Sequence, residues 1–252
     1  MSQDVSVEAS HMALSVMRLL RPHRVEGMSK TRVGRLFDGG YVMLDKFDGI
    51  EAAYSLGIND DVSWDLDVAG RGIPLRQYDH TIAGLPMEHE LFNWEKVGIH
   101  WQPEPDRNLE SLPNLLQRNG HGGSKDLLLK CDIEGHEWEM LARTPSRVLG
   151  QFQQIAIELH GMRELRHMAF AQLACIGLKN LSLTHRVVHV HGNNFARFAI
   201  VGGVPIPDVL EVSFARLDMG RFAVSDEVFP GPLDMPCHSK EADLYLGRFA
   251  FE

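Results

Sequence analysis

The 252-residue chain predicts an α/β fold: a mostly parallel sheet of seven strands with helices on both faces, preceded by an N-terminal helix and hairpin. Three observations carry that reading. From residue 51 onward, short apolar runs alternate with amphipathic stretches, the pattern of strand–helix–strand units in a parallel sheet. One run, Leu127-Leu128-Leu129, is apolar without alternation, which suits a strand covered on both faces. Several runs also end directly in acids or histidines, where an open α/β sheet forms its ligand crevice.

Residues 1 to about 22 read as a helix: Val7, Met12, Leu14, Val16, Met17, Leu19 and Leu20 form an apolar stripe, and Arg21-Pro22 ends it. Residues 32–45, RVGRLFDGGYVMLD, read as a hairpin turned at Asp38-Gly39-Gly40. Residues 1–45 thus form an extension on a main domain spanning 46–252. The first strand of the sheet is 51–56, followed by the turn Gly57-Ile58-Asn59-Asp60-Asp61 and a helix from about Val62 to Ala69. The second strand is 73–78, the third 96–101, and a helix covers 108–117. The fourth strand ends at Asp132, and Ile133-Glu134-Gly135 turns into a helix from His136 to about Arg143. The fifth strand is 153–159, a helix runs from Met162 to about Leu178, and the sixth strand is 184–191. The seventh, 209–215, follows without a clear helix, which marks an antiparallel member at one edge. Residues 244–251 read as a short strand or arm covering an edge.

Composition narrows the function. The net charge of −9 supplies no basic stripe for a nucleic-acid backbone. No window approaches 18 uncharged apolar residues, so no membrane span is expected. The opening MSQDVSVEAS lacks a basic leader, and Cys131, Cys175 and Cys237 form no CxxC pair. A cytoplasmic protein with free thiols is the expectation. Oligomeric state stays open, a homo-oligomer included.

Four strand-end groups could carry chemistry: Asp60/Asp61/Asp79, Asp132/Glu134/His136, Glu158/His160, and His189/His191/Asn193/Asn194. Residues two apart on a strand share a face, so Glu158 pairs with His160 and His189 with His191. Neighbouring strand ends would bring Asp132, His160 and one or both of His189 and His191 together. A histidine there can act as general base. The same carboxylate and imidazole groups, Asp132, His160, His189 and His191, can instead hold a divalent metal ion. The acids also have a plainer use as helix caps. The turn at Gly57 holds one glycine followed by two acids, which repels a pyrophosphate and favours a cationic or zwitterionic ligand. Asp79 stands about twenty residues beyond it, the place where a carboxylate takes ribose hydroxyls. Gly39-Gly40 serve the hairpin turn, or let backbone approach a ligand, which makes Gly40 a candidate cofactor contact. Residues 83–93 and the tail after Leu217 are the expected pocket covers.

These motifs, RVGRLFDGGYVML, YSLGINDDVSWD, QYD, KCDIEGHEWEML, IAIELHG and VVHVHGNN, resemble the FkbM-type S-adenosylmethionine-dependent methyltransferases over roughly residues 30–215. The resemblance implies a Rossmann-like class I methyltransferase sheet and S-adenosylmethionine as donor. Carried over, Gly57 passes under the methionine part, Asp60 and Asp61 lie near its amino group, Asp79 holds the ribose, and Asn59 is a further donor-binding residue. Asp132 lies where donor and acceptor meet. The expected activity is methyl transfer to a small-molecule hydroxyl, a sugar or natural product, with Asp132, His160 or His191 handling the proton directly or through a metal. A metal-dependent hydrolase or lyase using the same cluster is the alternative.

Overall fold

In a computed structural model describing residues 2–251, the sheet forms as expected in number and largely in position. Its strands are β1 Ala52–Leu56, β2 Leu75–Tyr78, β3 Phe92–Glu95, β4 Leu127–Cys131, β5 Phe152–Leu159, β6 His185–Gly192 and β7 Leu210–Arg216. They lie in the order β3-β2-β1-β4-β5-β7-β6. Strands β1 to β5 are mutually parallel, and β7 is antiparallel to both of its neighbours. The antiparallel member is thus not at the edge: it sits between β5 and β6. An antiparallel return needs no crossover helix, so β7 folds straight back beside β6.

The helices are α1 Ser2–Leu19, α2 Ser63–Ala69, α3 Leu112–Arg118, α4 Glu137–Arg143, α5 Ser146–Leu149 and α6 Met168–Ser182. The triple leucine of β4 shows how they are placed. Leu127 and Leu129 join Leu56, Ile155 and Ile157 in a core with α1, α3, α4, α5 and α6, through Met17, Leu115, Trp138, Leu149 and Leu178. Leu128 points the other way, to Ala53, Ala156, Trp64 of α2 and Tyr41 of the hairpin. Alternation is missing from the sequence because both faces are covered.

Several local expectations change. The third strand is Phe92–Glu95, not 96–101. An edge strand is half wet and reads weakly, while the more apolar Gly98–Ile99 pairs with Leu109–Glu110 in a separate ribbon. Helix α3 starts later than expected, where the Ser111 hydroxyl accepts from the Asn114 amide. A 3-10 turn, Met162–Arg166, precedes α6. A hairpin of Phe198–Val201 with Val204–Pro207, unforeseen in the sequence, links β6 to β7. The N-terminal hairpin pairs Lys30–Val33 with Tyr41–Leu44, so Arg35-Leu36-Phe37 belong to its loop. There the Arg32 guanidinium donates to the carbonyls of Arg35 and Phe37. Gln154 of β5 clamps this hairpin to the sheet, accepting from the Leu44 amide at 2.9 Å and donating to the Lys46 carbonyl at 2.9 Å. Residues 244–251 form no strand, yet Leu244 and Leu246 do lie against Gly192 at the end of edge strand β6. Among the described residues, no helix is long and apolar enough to cross a membrane.

One buried group makes the fold sensitive to acid. His185, at the start of β6, bonds the Phe152 carbonyl through Nε2 and lies 2.8 Å from the Thr184 hydroxyl through Nδ1. Burial holds its pKa down at about 4, from 6.5. The unfolded chain therefore binds the extra proton first. Stability is fully present above pH 6.5 and is lost as pH falls toward 4, by about 3 kcal/mol from this group. Urea unfolding between these pH values is expected to show that slope, and His185→Gln to flatten it.

Candidate functional site

The strand order reverses direction between β1 and β4, and there a doubly wound sheet opens a crevice at its carboxyl ends. The backbones of the two strand ends touch. The Asp132 amide donates to the Leu56 carbonyl at 2.8 Å, and the Gly57 amide donates to the Tyr78 carbonyl at 2.9 Å. Gly57 has φ +79°, and a Cβ on it would overlap the Asp132 carbonyl oxygen. Only glycine meets both conditions. Beneath the turn, the Lys130 ammonium donates to the Gly57 carbonyl and lies 4.0 Å from Asp132.

Above this junction lies a cavity of about 690 Å³. Gly57, Asn59, Asp79, Asp132 and His160, all read from the sequence, line it. Asp38, Glu134, Glu158 and Asn193 line it as well, and no lysine or arginine does. Neither expected cover contributes. Asp38 of the hairpin loop and Phe195 and Ala196 beyond β6 stand there instead.

Asp79 is heavily bonded. Its Oδ2 accepts from the amides of Ile58 (2.8 Å) and Asn59 (2.9 Å), and its Oδ1 from the amide (2.7 Å) and hydroxyl (2.6 Å) of Thr81. Desolvation pushes its pKa up, but these donors outweigh it and hold the carboxyl below its usual range.

The reactive corner is His160. Its Nδ1 bonds Glu137 Oε1 at 3.1 Å, while Nε2 faces Glu158 (3.5 Å), Glu134 (3.6 Å) and Asp132 (3.9 Å). Burial alone would lower its pKa. The Glu137 hydrogen bond, with Glu158 and Asp132, overrides that and lifts it to about 9. At neutral pH this is an imidazolium, not the free imidazole that a general base needs. The Glu158 carboxyl, which accepts from Asn193 Nδ2 at 2.9 Å, is pushed well above the carboxylate range by burial, Asp132 and Glu211. Burial, with Glu211, also raises Asp38.

Glu137, absent from the sequence reading, builds the corner. It is fully buried, and its carboxylate accepts from the amides of Ile133 (2.9 Å) and Gly135 (2.9 Å) as well as from His160. It thereby shapes the turn after β4 and holds the imidazole. A signal was present: Glu137 lies on the helix stripe shared by buried Met140 and Leu141, a poor place for an unpaired acid.

Five expected site residues lie elsewhere. Gly40 packs against the Arg35 carbonyl inside its own loop. Asp60 is exposed, and Asp61 turns onto the first residue of α2, accepting from the Ser63 amide and hydroxyl. His189 and His191 share a face as expected, but the C-terminal segment covers it. His189 bonds Asp234 at 2.7 Å; His191 bonds Glu211 at 2.7 Å and Asp243 at 3.1 Å. The metal set read from the sequence therefore divides. Asp132 and His160 gather with Glu158, their ligand atoms within 4.8 Å of one another, and the β6 histidines do not join them.

No family model matches the chain, and no curated protein does.

Proposed function

We propose that the protein is an S-adenosylmethionine-dependent methyltransferase acting on a hydroxyl of a small molecule. The observation that carries this reading is the cavity at the β1–β4 reversal, lined by five carboxyl groups and by no lysine or arginine. Even with Glu158 pushed toward its neutral form and His160 an imidazolium, Asp79, Asp132 and Glu134 outnumber the positive charge, so the lining repels phosphates and attracts a cation. Its volume of about 690 Å³ lies in the range of cofactor sites. The seven-stranded sheet with one antiparallel member is what the resemblance to FkbM-type methyltransferases implies.

The donor supplies an electrophilic methyl carbon on a positively charged sulfur. Gly57 and Asn59 would pass beneath it. Asp79 reaches a ribose through Oδ1, where the Thr81 hydroxyl is the one side-chain competitor. Asp132 and His160 face the remaining space, where the acceptor would lie. To act as base, His160 would first give its proton to solvent and then take one from the hydroxyl; like charge beside it would favour that release by lowering an imidazolium's pKa.

Asp132, Glu158 and His160 also fit a divalent ion with mixed oxygen and nitrogen ligands. Glu137 on the far nitrogen of His160 is the outer support such ligands have. This cluster favours a second reading, a metal-dependent hydrolase or lyase without the donor. Calorimetric titration separates the two. S-adenosylmethionine and its demethylated product are expected to bind, the sulfonium form more tightly, and Asp132→Asn to narrow that difference. Silence from both at millimolar concentration, with hydrolysis of ester or phosphate panels, would hand the site to the second reading.

A further inference from the structure

On the sheet face away from α6, a second cluster lies behind the cavity wall. Three chain segments meet there: His191 from β6, Glu211 from β7 and Cys237 from the C-terminal segment, all buried. Glu211 is the cross-strand partner of His191 and of Glu158, so it stands between the cavity and this cluster. Its two oxygens face different neighbours: Oε2 lies 2.7 Å from His191 Nδ1, and Oε1 accepts from Cys237 Sγ at 3.3 Å. Sulfur, imidazole nitrogen and carboxylate oxygen all fall within 4.8 Å of one another. Asp243 supplies another carboxylate, 3.1 Å from the far nitrogen of His191.

We propose that His191, Glu211 and Cys237 form a second metal site, for a thiophilic divalent ion of the zinc class, that pins the C-terminal segment to the sheet. Thiolate, imidazole and carboxylate together select such an ion over magnesium or calcium. In the ion-free arrangement two protons bridge the three ligands, one on the thiol and one on the imidazole. Binding forms the sulfur–, nitrogen– and oxygen–metal bonds and releases those protons to solvent. Asp243 then stays on the other imidazole nitrogen as the outer partner that metal-bound histidines have.

An independent observation is that the segment carrying Cys237 and Asp243 is already held in place. Residues 225–251 contain no helix or strand, yet Asn194 fixes 238–242 from both sides of its amide. Its Nδ2 donates to the carbonyls of His238 (3.2 Å) and Ala242 (3.2 Å), and its Oδ1 accepts from the His238 amide at 2.6 Å. The ligands are thus presented by a braced loop. The proposal does not rest on the methyltransferase reading, and no ligand is shared with the Asp132–Glu158–His160 cluster.

Sulfur makes the test specific, since the cavity cluster has none. Elemental analysis of purified full-length protein is expected to find one zinc that survives Asp132→Asn/His160→Gln and is lost in Cys237→Ser. Protein stripped with chelator and refilled with cobalt(II) is expected to show a thiolate-to-cobalt charge-transfer band in the near ultraviolet, absent in Cys237→Ser. A band that persists in Cys237→Ser would assign the sulfur to Cys131 or Cys175 and overturn the site. If that variant does not fold, the band is expected to survive Cys131→Ser and Cys175→Ser, and its loss in either would overturn the site. No charge-transfer band on cobalt loading leaves His191 as a hydrogen-bonded buried imidazolium and nothing more.

Discussion

Gly57→Ala is expected to yield a protein that unfolds several kcal/mol more easily than the parent, or none in soluble form. Two costs add. A non-glycine residue at φ +79° pays about 1–2 kcal/mol in backbone strain. The new methyl group also overlaps the Asp132 carbonyl, and overpacking of a fixed neighbour costs about 1–3 kcal/mol. That neighbour cannot step aside, because the Asp132 amide is bonded to Leu56 on the same junction. Gly72 supplies the control. It has the same φ of +79° but open space where a Cβ would go, so Gly72→Ala carries the strain alone. Urea midpoints of the two variants should therefore differ widely. Equal midpoints would mean that the strand ends do not abut as described.

Glu137→Ala is the second large effect. It leaves the His160 imidazolium and the Ile133 and Gly135 amides without their shared acceptor. Removing one partner of a buried pair costs about 3–5 kcal/mol, a large part of a domain's usual 5–15. Glu137→Gln keeps the volume and removes the charge. Burial, the largest influence on His160, then acts with less opposition, and its pKa falls from about 9. Imidazole titration by NMR reads that fall directly. Methyl transfer or metal affinity should drop by about 10–100-fold, the usual effect of losing an outer partner. An unchanged His160 titration in Glu137→Gln would remove Glu137 from the site.

The site's inner residues were legible because they obey a rule of topology. Strand ends of a parallel sheet converge, so Gly57, Asp79, Asp132 and His160 could be placed together before their contacts were known. What stayed hidden depended on distant chain. Periodicity showed that His189 and His191 share a face. It could not show that Asp234, Cys237 and Asp243, more than 40 residues on and without repeat or pattern, close over that face. Asp60 and Asp61 were not separable from ligand residues because an acid before a helix can also serve a local turn, and at Asp61 the Ser63 amide and hydroxyl take the carboxylate. The third strand was misplaced because Phe92–Glu95 is only half covered and carries a weaker apolar signal than its neighbour.

The short ribbon that joins His23–Val25 to Phe222–Val224 has a consequence for how the molecule is made. It joins two segments separated by roughly 200 residues of sequence. A folding chain can assemble β1 to β5 from residues 52–159, but the face of β6 and β7 that carries His189, His191 and Glu211 is covered only when the distant segment with Asp234 and Asp243 docks on it. Docking of that segment closes contacts of long sequence separation, the kind that slow folding.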